Sequence, residues 1–349
     1  MQPYLTALAE GRTLTQEEAE AAMHLMMRGE ASPEQIAGLL MGLRARGETL
    51  DELVGFTRVM RQYAVPVRVD DPHAIDLCGT GGDRSGTFNI STAAAFVCAG
   101  AGVTVVKHGN RSVSSQAGSA DVLEALGVVI DLGAEGVERC LEEVGIAFAF
   151  APRFHPAMRH VMPVRRALGV RTFFNILGPL CNPAGVRRQL VGAFRPDVAA
   201  TMAAILARLG AEHVVTVHTE DGLDELSLSA PTATYEYRRG DEAPRAGRVE
   251  PEALGLPRVP LEQLRGGDAE ANARLLRRVL EGEAGPHRDV VLLNATYALY
   301  VSGRFGDDLE ACLEAARESI DSGAALARLE QLVEVSNRVA REAARQPAA

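Results

Sequence analysis

The chain has no long hydrophobic run, no cysteine pair and no surplus of positive charge, and each absence removes a class of function. Every apolar stretch is interrupted well before the roughly 18 residues a helical membrane span requires, so no span is expected. The start, MQPYLTALAEGRTLTQEEA, lacks a basic segment followed by an apolar one, so no secretory leader is expected there. The 5 cysteines (Cys78, Cys98, Cys140, Cys181, Cys312) stand apart in apolar surroundings without a CxxC pair. That pattern predicts buried free thiols in a reducing, cytoplasmic compartment, with neither disulfides nor a thiolate metal site. A formal net charge of −10 argues against a nucleic-acid binder working through bulk charge, but leaves room for a local basic pocket.

What is present reads as two textures. The 349 residues, 47% hydrophobic and 23% charged, suffice for one large core or two domains. Up to about residue 65 the pattern is helical throughout. Thr15-Gln-Glu-Glu18 is a capping box followed by Ala22, Leu25 and Met26 at helical spacing. Ser32-Pro33 starts a second helix, Gly47 ends it, and a third runs from about Asp51 to Tyr63. The methionines of this block (Met23, Met26, Met27, Met41) suit a core or a subunit interface. From about His73 short apolar runs alternate with helices. AIDLC, VTVVK, GVVID, IAFAF and HVVTVH are the strand candidates. ISTAAAFVCAG, ADVLEALG, AEGVERCLEEVG and RPDVAATMAAILARLG are the helices between them. The expected fold class is α/β: a small all-helical N-terminal domain and a larger domain with a mostly parallel central sheet flanked by helices. Residues 231 to 268 look poorly patterned, and strong helices return at 289–302, 307–322 and 324–340.

In such sheets ligands bind in the loops after the carboxyl ends of the strands. AIDLC runs straight into GTGGDRSGTFNIST, a glycine-rich loop opening a helix near Asn89, which in physical terms is an anion cradle. It is neither a dinucleotide fingerprint, which needs glycine where Arg84 stands, nor a Walker loop, which needs lysine where Thr87 stands. VTVV ends in KHGNRSVSS, whose Lys107, Arg111 and serines suit a multiply charged phosphate. His108 alone reads as a structural histidine, Ser119 as the cap of the next helix and Glu124 as a solvated helix residue. PRFHPAMRHVMPVRRALGVRTFFNILGPLCNP brings His155, Arg159, Arg165, Arg166 and Arg171, with a helical face from Arg159 to Arg166 able to direct one arginine at a carboxylate. After HVVTVH, the adjacent Asp224 and Glu225 form a hard-oxygen pair suited to Mg²⁺. No Ser-His-Asp order and no cysteine nucleophile emerges, so the chemistry implied is positioning of a di- or polyphosphate.

Four spaced segments now carry a resemblance: DLCGTGGDRSGTFNIST, VKHGNRSVSSQAGSADVLEALGV, FHPAMRHVMPVRRALGVRTFFNILGPLCNP and GLDELSLSAPT. Together they span about residues 75 to 232, and the chain resembles the anthranilate phosphoribosyltransferase family of the nucleoside-phosphorylase-like, glycosyltransferase family 3 fold. The resemblance implies a helical domain at 1–70, joined by helices from about 165–190, and an α/β domain at 71–349. It implies transfer of the 5-phosphoribosyl group from phosphoribosyl pyrophosphate (PRPP) to the amine of anthranilate, in tryptophan biosynthesis. Gly79, Gly82, Asp83, Thr87, Asn89, Ile90, Ser91 and Thr92 would hold PRPP. Lys107, His108, Gly109, Asn110, Arg111, Ser112, Val113, Ser114 and Ser115, with Ser119, would complete that site. Gly79, Asn110 and Arg165 would contact anthranilate, Ser91, Asp224 and Glu225 would bind two Mg²⁺ ions, and His108 and His155 would line the acceptor channel. A homodimer through the helical domain is implied, with no nucleic-acid or membrane partner. Ser112 and Gln116-Ala117 depart from the alanine and lysine-serine pair of many members. Rival readings are a pyrimidine nucleoside phosphorylase of the same fold and a non-catalytic relative that binds nucleic acid.

Overall fold

The computed structural model describes residues 1–82, 85–112 and 116–345. Four helices open the chain: α1 (Gln2–Ala9), α2 (Gln16–Met27), α3 (Pro33–Arg46) and α4 (Leu50–Gln62). The last three begin with reciprocal caps. Thr15, Ser32 and Thr49 each accept the backbone N–H three residues on, and Glu18, Gln35 and Glu52 reach back to the capping residue. These bonds satisfy donors that a helix start otherwise leaves open. Met23, Met26 and Met27 are buried against Leu39, Leu43, Val54 and Phe56 of the same chain, whereas Met41 is 39% exposed. Glu52 is fully buried: it accepts the N–H of Leu14 at 2.7 Å and of Thr49 at 2.8 Å and pairs with Arg46. One carboxylate thereby locks the α1–α2 connection onto α4.

The rest of the chain is built on a seven-stranded sheet. In order come β1 (Ile75–Gly79), α5 (Ile90–Gly100), β2 (Val105–Gly109), α6 (Ser119–Ala125), α7 (Ala134–Val144), β3 (Ile146–Phe150), and the short α8 (Ala151–Phe154), α9 (Met162–Leu168) and α10 (Phe174–Leu177). Then follow β4 (Arg188–Gly192), α11 (Pro196–Arg208), β5 (His213–Thr219), β6 (Thr232–Arg238) and β7 (Arg245–Val249). α12 (Ala269–Leu280), α13 (Pro286–Ser302), α14 (Leu309–Asp321) and α15 (Ala324–Arg345) close the chain. The spatial order is β3-β2-β1-β4-β5-β6-β7. β3 through β5 in that order run parallel, and β6 and β7 are antiparallel additions at the edge.

Strand side chains alternate between faces. Ile75, Leu77, Leu190, Val215 and Val217 join the core with α5 and α13, while Cys78, Val191 and Val214 join the core shared with α11 and the N-terminal helices. Residues from Val161 to Cys181 belong to this second core, where Phe173 stacks on Phe56 with ring centroids 4.4 Å apart. All five cysteines are buried and free. No helix among the described residues is long and apolar enough to cross a membrane.

Several sequence expectations need correction. GVVID is not a strand: Val128 and Ile130 are buried, but the segment leaves α6 through Gly127 and Val129 N–H bonds the Ser336 hydroxyl of α15. β2 and β3 pair directly, so the segment does not insert between them as a strand. The central β4, five residues framed by basic side chains, carries too short an apolar run to stand out. The stretch expected to be unpatterned holds β6 and β7 and leads into α12. The helix expected from Arg159 to Arg166 is broken into a 3₁₀ turn at Pro156–His160 and α9, because Pro163 has no N–H to continue it.

Replacing Glu52 with alanine leaves the Leu14 and Thr49 N–H groups unpaired in the helical core. We expect a loss of about 3 kcal/mol in urea-unfolding stability; a loss within experimental error shows that solvent replaces the carboxylate.

Candidate active site

The chain order reverses between β1 and β4, so the loops leaving their carboxyl ends diverge and open a crevice. The loop after β5 returns into this crevice and carries Asp224 and Glu225. Asp224, 7% exposed, accepts the N–H of Gly81 at 2.6 Å and the Thr80 hydroxyl at 3.4 Å. Glu225 accepts the N–H of Ser91 at 3.2 Å, at the first turn of α5, where unpaired amide donors favour negative charge. A Cβ on Gly79 would collide with the Asp224 carboxylate, and one on Gly192 with its backbone carbonyl. Glycine at the ends of β1 and β4 is therefore what admits the carboxylate loop.

Behind this surface lies a buried charge arrangement. Lys107, 3% exposed, donates to the Leu77 carbonyl at 2.7 Å and to the Ser91 hydroxyl at 3.3 Å. Its ammonium thus braces β1 and the start of α5 from beneath. Asp76, fully buried, accepts Asn182 Nδ2 at 2.9 Å and the His108 N–H at 3.2 Å. Burial pushes its carboxyl up to about 6, against the pull of the Asn182 bond and the Lys107 charge.

The second loop folds back on α6. Gly118, not Ser119, is the capping residue, and Asp121 accepts the N–H of Gly118 at 2.8 Å and of Ser112 at 3.1 Å. Ser119 begins the helix and directs its hydroxyl to the Asn110 carbonyl at 3.4 Å. Asn110 Oδ1 accepts the Arg111 N–H at 2.7 Å. The Arg111 guanidinium pairs with Asp121 at 2.8 Å and with Glu124 at 2.5 Å, so Glu124 is more than a solvated helix residue. Asp83, Val113, Ser114 and Ser115 lie outside the described residues.

On the helical side of the crevice, His108 and His155 face each other with ring centroids 5.1 Å apart. Both are buried, and the Nε2 of each has no hydrogen-bond partner. Burial drives His108 down to about 3, helped by His155, and His155 down to about 4, so both rings are neutral at neutral pH. Arg165, half-buried on α9, contacts the Met162 sulfur at 3.6 Å and lies 5.2 Å over the Phe174 ring, with no ion pair to any described residue. Burial works against its charge. A guanidinium held this way is poised for a carboxylate. Arg159 and Arg166 are exposed, whereas Arg171 donates to the Gly82 carbonyl at 2.5 Å and bridges the helical side to the glycine-rich loop.

Sequence reasoning passed over Asp76, Thr219 and Asn294. Thr219 holds the Glu225 carbonyl at 2.7 Å, and the buried Asn294 amide accepts from Leu226 N–H at 3.1 Å and donates to its carbonyl at 2.8 Å. Asn294 did leave a signal, a single amide inside the apolar helix run VVLLNATYAL. Thr92, Ile90 and Gly109 lie at the start of α5 and the end of β2, and Thr87 forms an isolated bridge with Arg265. No group of three or more histidine, cysteine, aspartate or glutamate side chains gathers among the described residues. The donors here, a carboxylate pair beside the Ser91 hydroxyl, are the hard-oxygen type that suits Mg²⁺ bridging to phosphate.

The family models "Glycosyl transferase family, helical bundle domain" and "Glycosyl transferase family, a/b domain" match residues 2–64 and 71–326. The chain is 64% identical to the anthranilate phosphoribosyltransferase of Salinibacter ruber over 98% of its own length and 100% of that protein's. It belongs to the anthranilate phosphoribosyltransferase family. It is an enzyme of that glycosyl transferase class, and the anthranilate phosphoribosyltransferase of Thermomicrobium roseum is 57% identical over 96% of this chain and 97% of its own. The crystal structure of the Thermus thermophilus anthranilate phosphoribosyltransferase superposes with a TM-score of 0.89 at 47% identity, covering 96% of this chain and 99% of that one. The Saccharomyces cerevisiae anthranilate phosphoribosyltransferase in complex with PRPP and Mg superposes at 0.87 with 26% identity, covering 97% and 98%. The same yeast enzyme has also been solved with 4-fluoroanthranilate.

The neutral histidines carry a pH signature. In the unfolded chain an imidazole takes a proton near pH 6.5, whereas native His155 resists it down to about 4. The contribution of His155 is therefore complete above about pH 6.5 and is lost as pH falls towards 4, by up to roughly 1.4 kcal/mol per pH unit, and His108 adds a slope of the same sign. Asp76 opposes this slope, since its native carboxyl takes a proton near 6, above its unfolded range. His155→Asn should flatten the dependence in that window, measured by urea unfolding at several pH values; an unchanged slope shows that His155 is not held neutral.

Proposed function

We propose that this enzyme transfers the 5-phosphoribosyl group from PRPP to the amine of anthranilate, giving N-(5-phosphoribosyl)anthranilate and pyrophosphate in tryptophan biosynthesis. The observation that carries this is the seating of Asp224 and Glu225 against the glycine-rich loop and the start of α5, together with a part-buried arginine, Arg165, that has no ion pair among the described residues. That arrangement offers a phosphate-handling pole and a carboxylate-handling pole. The yeast relative's complexes with PRPP and Mg and with 4-fluoroanthranilate match those two chemistries.

In this reading Ser91, Asp224 and Glu225 would hold two Mg²⁺ ions. Mg²⁺ held there would neutralise charge on the departing diphosphate. The backbone N–H groups of the glycine-rich loop and of the first turn of α5 orient the phosphates, and Lys107 keeps Ser91 and β1 in place beneath them. Arg165 takes the anthranilate carboxylate and Asn110 its neighbourhood. As the C1′–O bond breaks, its electron pair leaves with pyrophosphate and C1′ becomes oxocarbenium-like. The amine lone pair attacks from the opposite face and an N–H proton is shed. An aromatic amine is already unprotonated at neutral pH, so no strong general base is needed, and the neutral Nε2 atoms of His108 and His155 suffice to accept from its N–H groups.

The same reading divides the chain at about residue 70, with the helices of about 165–190 on the helical side, supported by the core that Val161 to Cys181 share with α1 to α4. It makes the enzyme a cytoplasmic homodimer, joined through the helical domain, without nucleic-acid partners.

The direct test is Mg²⁺-dependent loss of anthranilate fluorescence on adding PRPP; no loss with folded enzyme sinks the reading. Arg165→Ala should raise the KM for anthranilate by roughly ten- to a hundredfold and that for PRPP by a few-fold at most. The reverse pattern moves Arg165 to the other substrate. Asp224→Asn with Glu225→Gln should shift the Mg²⁺ titration to higher concentration; an unchanged titration leaves the pair without a metal role.

A further inference from the structure

The segment that leads into α12 closes the phosphate side of the crevice. Leu264 to Gly267 runs beside the glycine-rich loop: Phe88 N–H donates to the Leu264 carbonyl at 3.2 Å and Gly266 N–H to the Gly86 carbonyl at 2.9 Å. A Cβ on Gly266 would fall 2.7 Å from Phe88 Cα and against Asn272 Oδ1, so the approach depends on glycine. From the first turns of α12 the side chain of Asn272, 2% exposed, reaches into this contact. Its Oδ1 accepts the Gly267 N–H at 2.7 Å and its Nδ2 donates to Asn89 Oδ1 at 3.0 Å. Asn89 Nδ2 then donates to the Ala117 carbonyl at 3.2 Å.

Two backbone groups of opposite polarity terminate this relay, an N–H at Gly267 and a carbonyl at Ala117. An amide offers a donor at one end and an acceptor at the other. The backbone therefore sets the orientation of both side chains, and turning either amide over would place like atoms against each other. The relay ties together three segments far apart in sequence. Asn89 precedes α5, where Glu225 meets the Ser91 N–H; Ala117 ends the loop that follows β2; Gly267 belongs to the α12 approach.

We propose that Asn272 is a positioning residue for PRPP, acting through Asn89 to hold the two phosphate-side loops at a constant separation. This rests on the function proposed above. Asn272 touches neither substrate, and its effect falls on the substrate that spans both loops.

The test compares wild type, Asn272→Ala, Asn89→Ala and the double variant in steady-state kinetics, with amide hydrogen exchange on the substrate-free proteins. Asn272→Ala should raise the KM for PRPP roughly tenfold and leave that for anthranilate within about twofold. The double variant should be no worse than the more affected single one, because the relay acts as a unit. Asn272→Asp guards against a packing effect. It retains volume and the acceptor for Gly267 but loses the donor to Asn89, and a buried carboxyl regains that donor when protonated. Its KM for PRPP relative to wild type should therefore recover as pH falls from about 8 to about 6. Exchange should speed up in peptides covering residues 86–90 and 116–120 in both Asn272 variants. Additive KM effects, or lowered melting temperature with unchanged KM for PRPP, would overturn the proposal. If wild type itself fails to turn over, the functional reading fails. Exchange then decides the coupling on its own: acceleration confined to those peptides supports it, and unchanged or global acceleration overturns it.

Discussion

Everything in the crevice depends on one close approach, the Asp224–Glu225 loop pressed onto the ends of β1 and β4. Only hydrogen at the Cα of Gly79 and Gly192 leaves room for it. Once seated, the two carboxylates take up amide donors from the Gly81 backbone and the first turn of α5. Negative charge is thereby brought to the place where a parallel sheet and a helix start offer unpaired N–H groups. In the proposed function this is where a cation would be held and a phosphate oriented.

The positive groups divide according to solvation. Lys107 is buried and engaged by a backbone carbonyl and a hydroxyl, which makes it a brace. Arg111 is half in solvent and tied to two acids on α6. Arg165 alone of the three is part-buried with neither a carboxylate nor any other oxygen partner among the described residues. Cations that look alike in the sequence thus take different work according to what packs around them. Polar side chains missed at first, Asn294 and Thr219 among them, hold the carboxylate loop by its backbone, so the precision of the site rests on groups that never face the crevice.

Strand-end loops, capping boxes and the parallel-sheet class were legible because each follows from local periodicity and from donors and acceptors a few residues apart. Hence Thr15-Glu18, the helix after Asn89 and the loops after AIDLC and VTVV were found where they stand. GVVID misled because an apolar run is equally content under a helix, and here α15 covers it. β4, β6 and β7 escaped notice because short strands acquire their identity from neighbours supplied by distant segments.

By itself the sequence determined the chemistry available: glycines at strand ends, a carboxylate pair, a run of cations and serines, and the family that bears them. Only the tertiary structure decided which of these groups are engaged and which are open. Lys107 turned inward, Arg165 stayed without an ion pair among the described residues, and Asn272, just past the stretch without pattern, came to lie against Asn89. The reason is physical: a side chain's role depends on its partners and on the water it has lost, and both are set by residues remote in the chain.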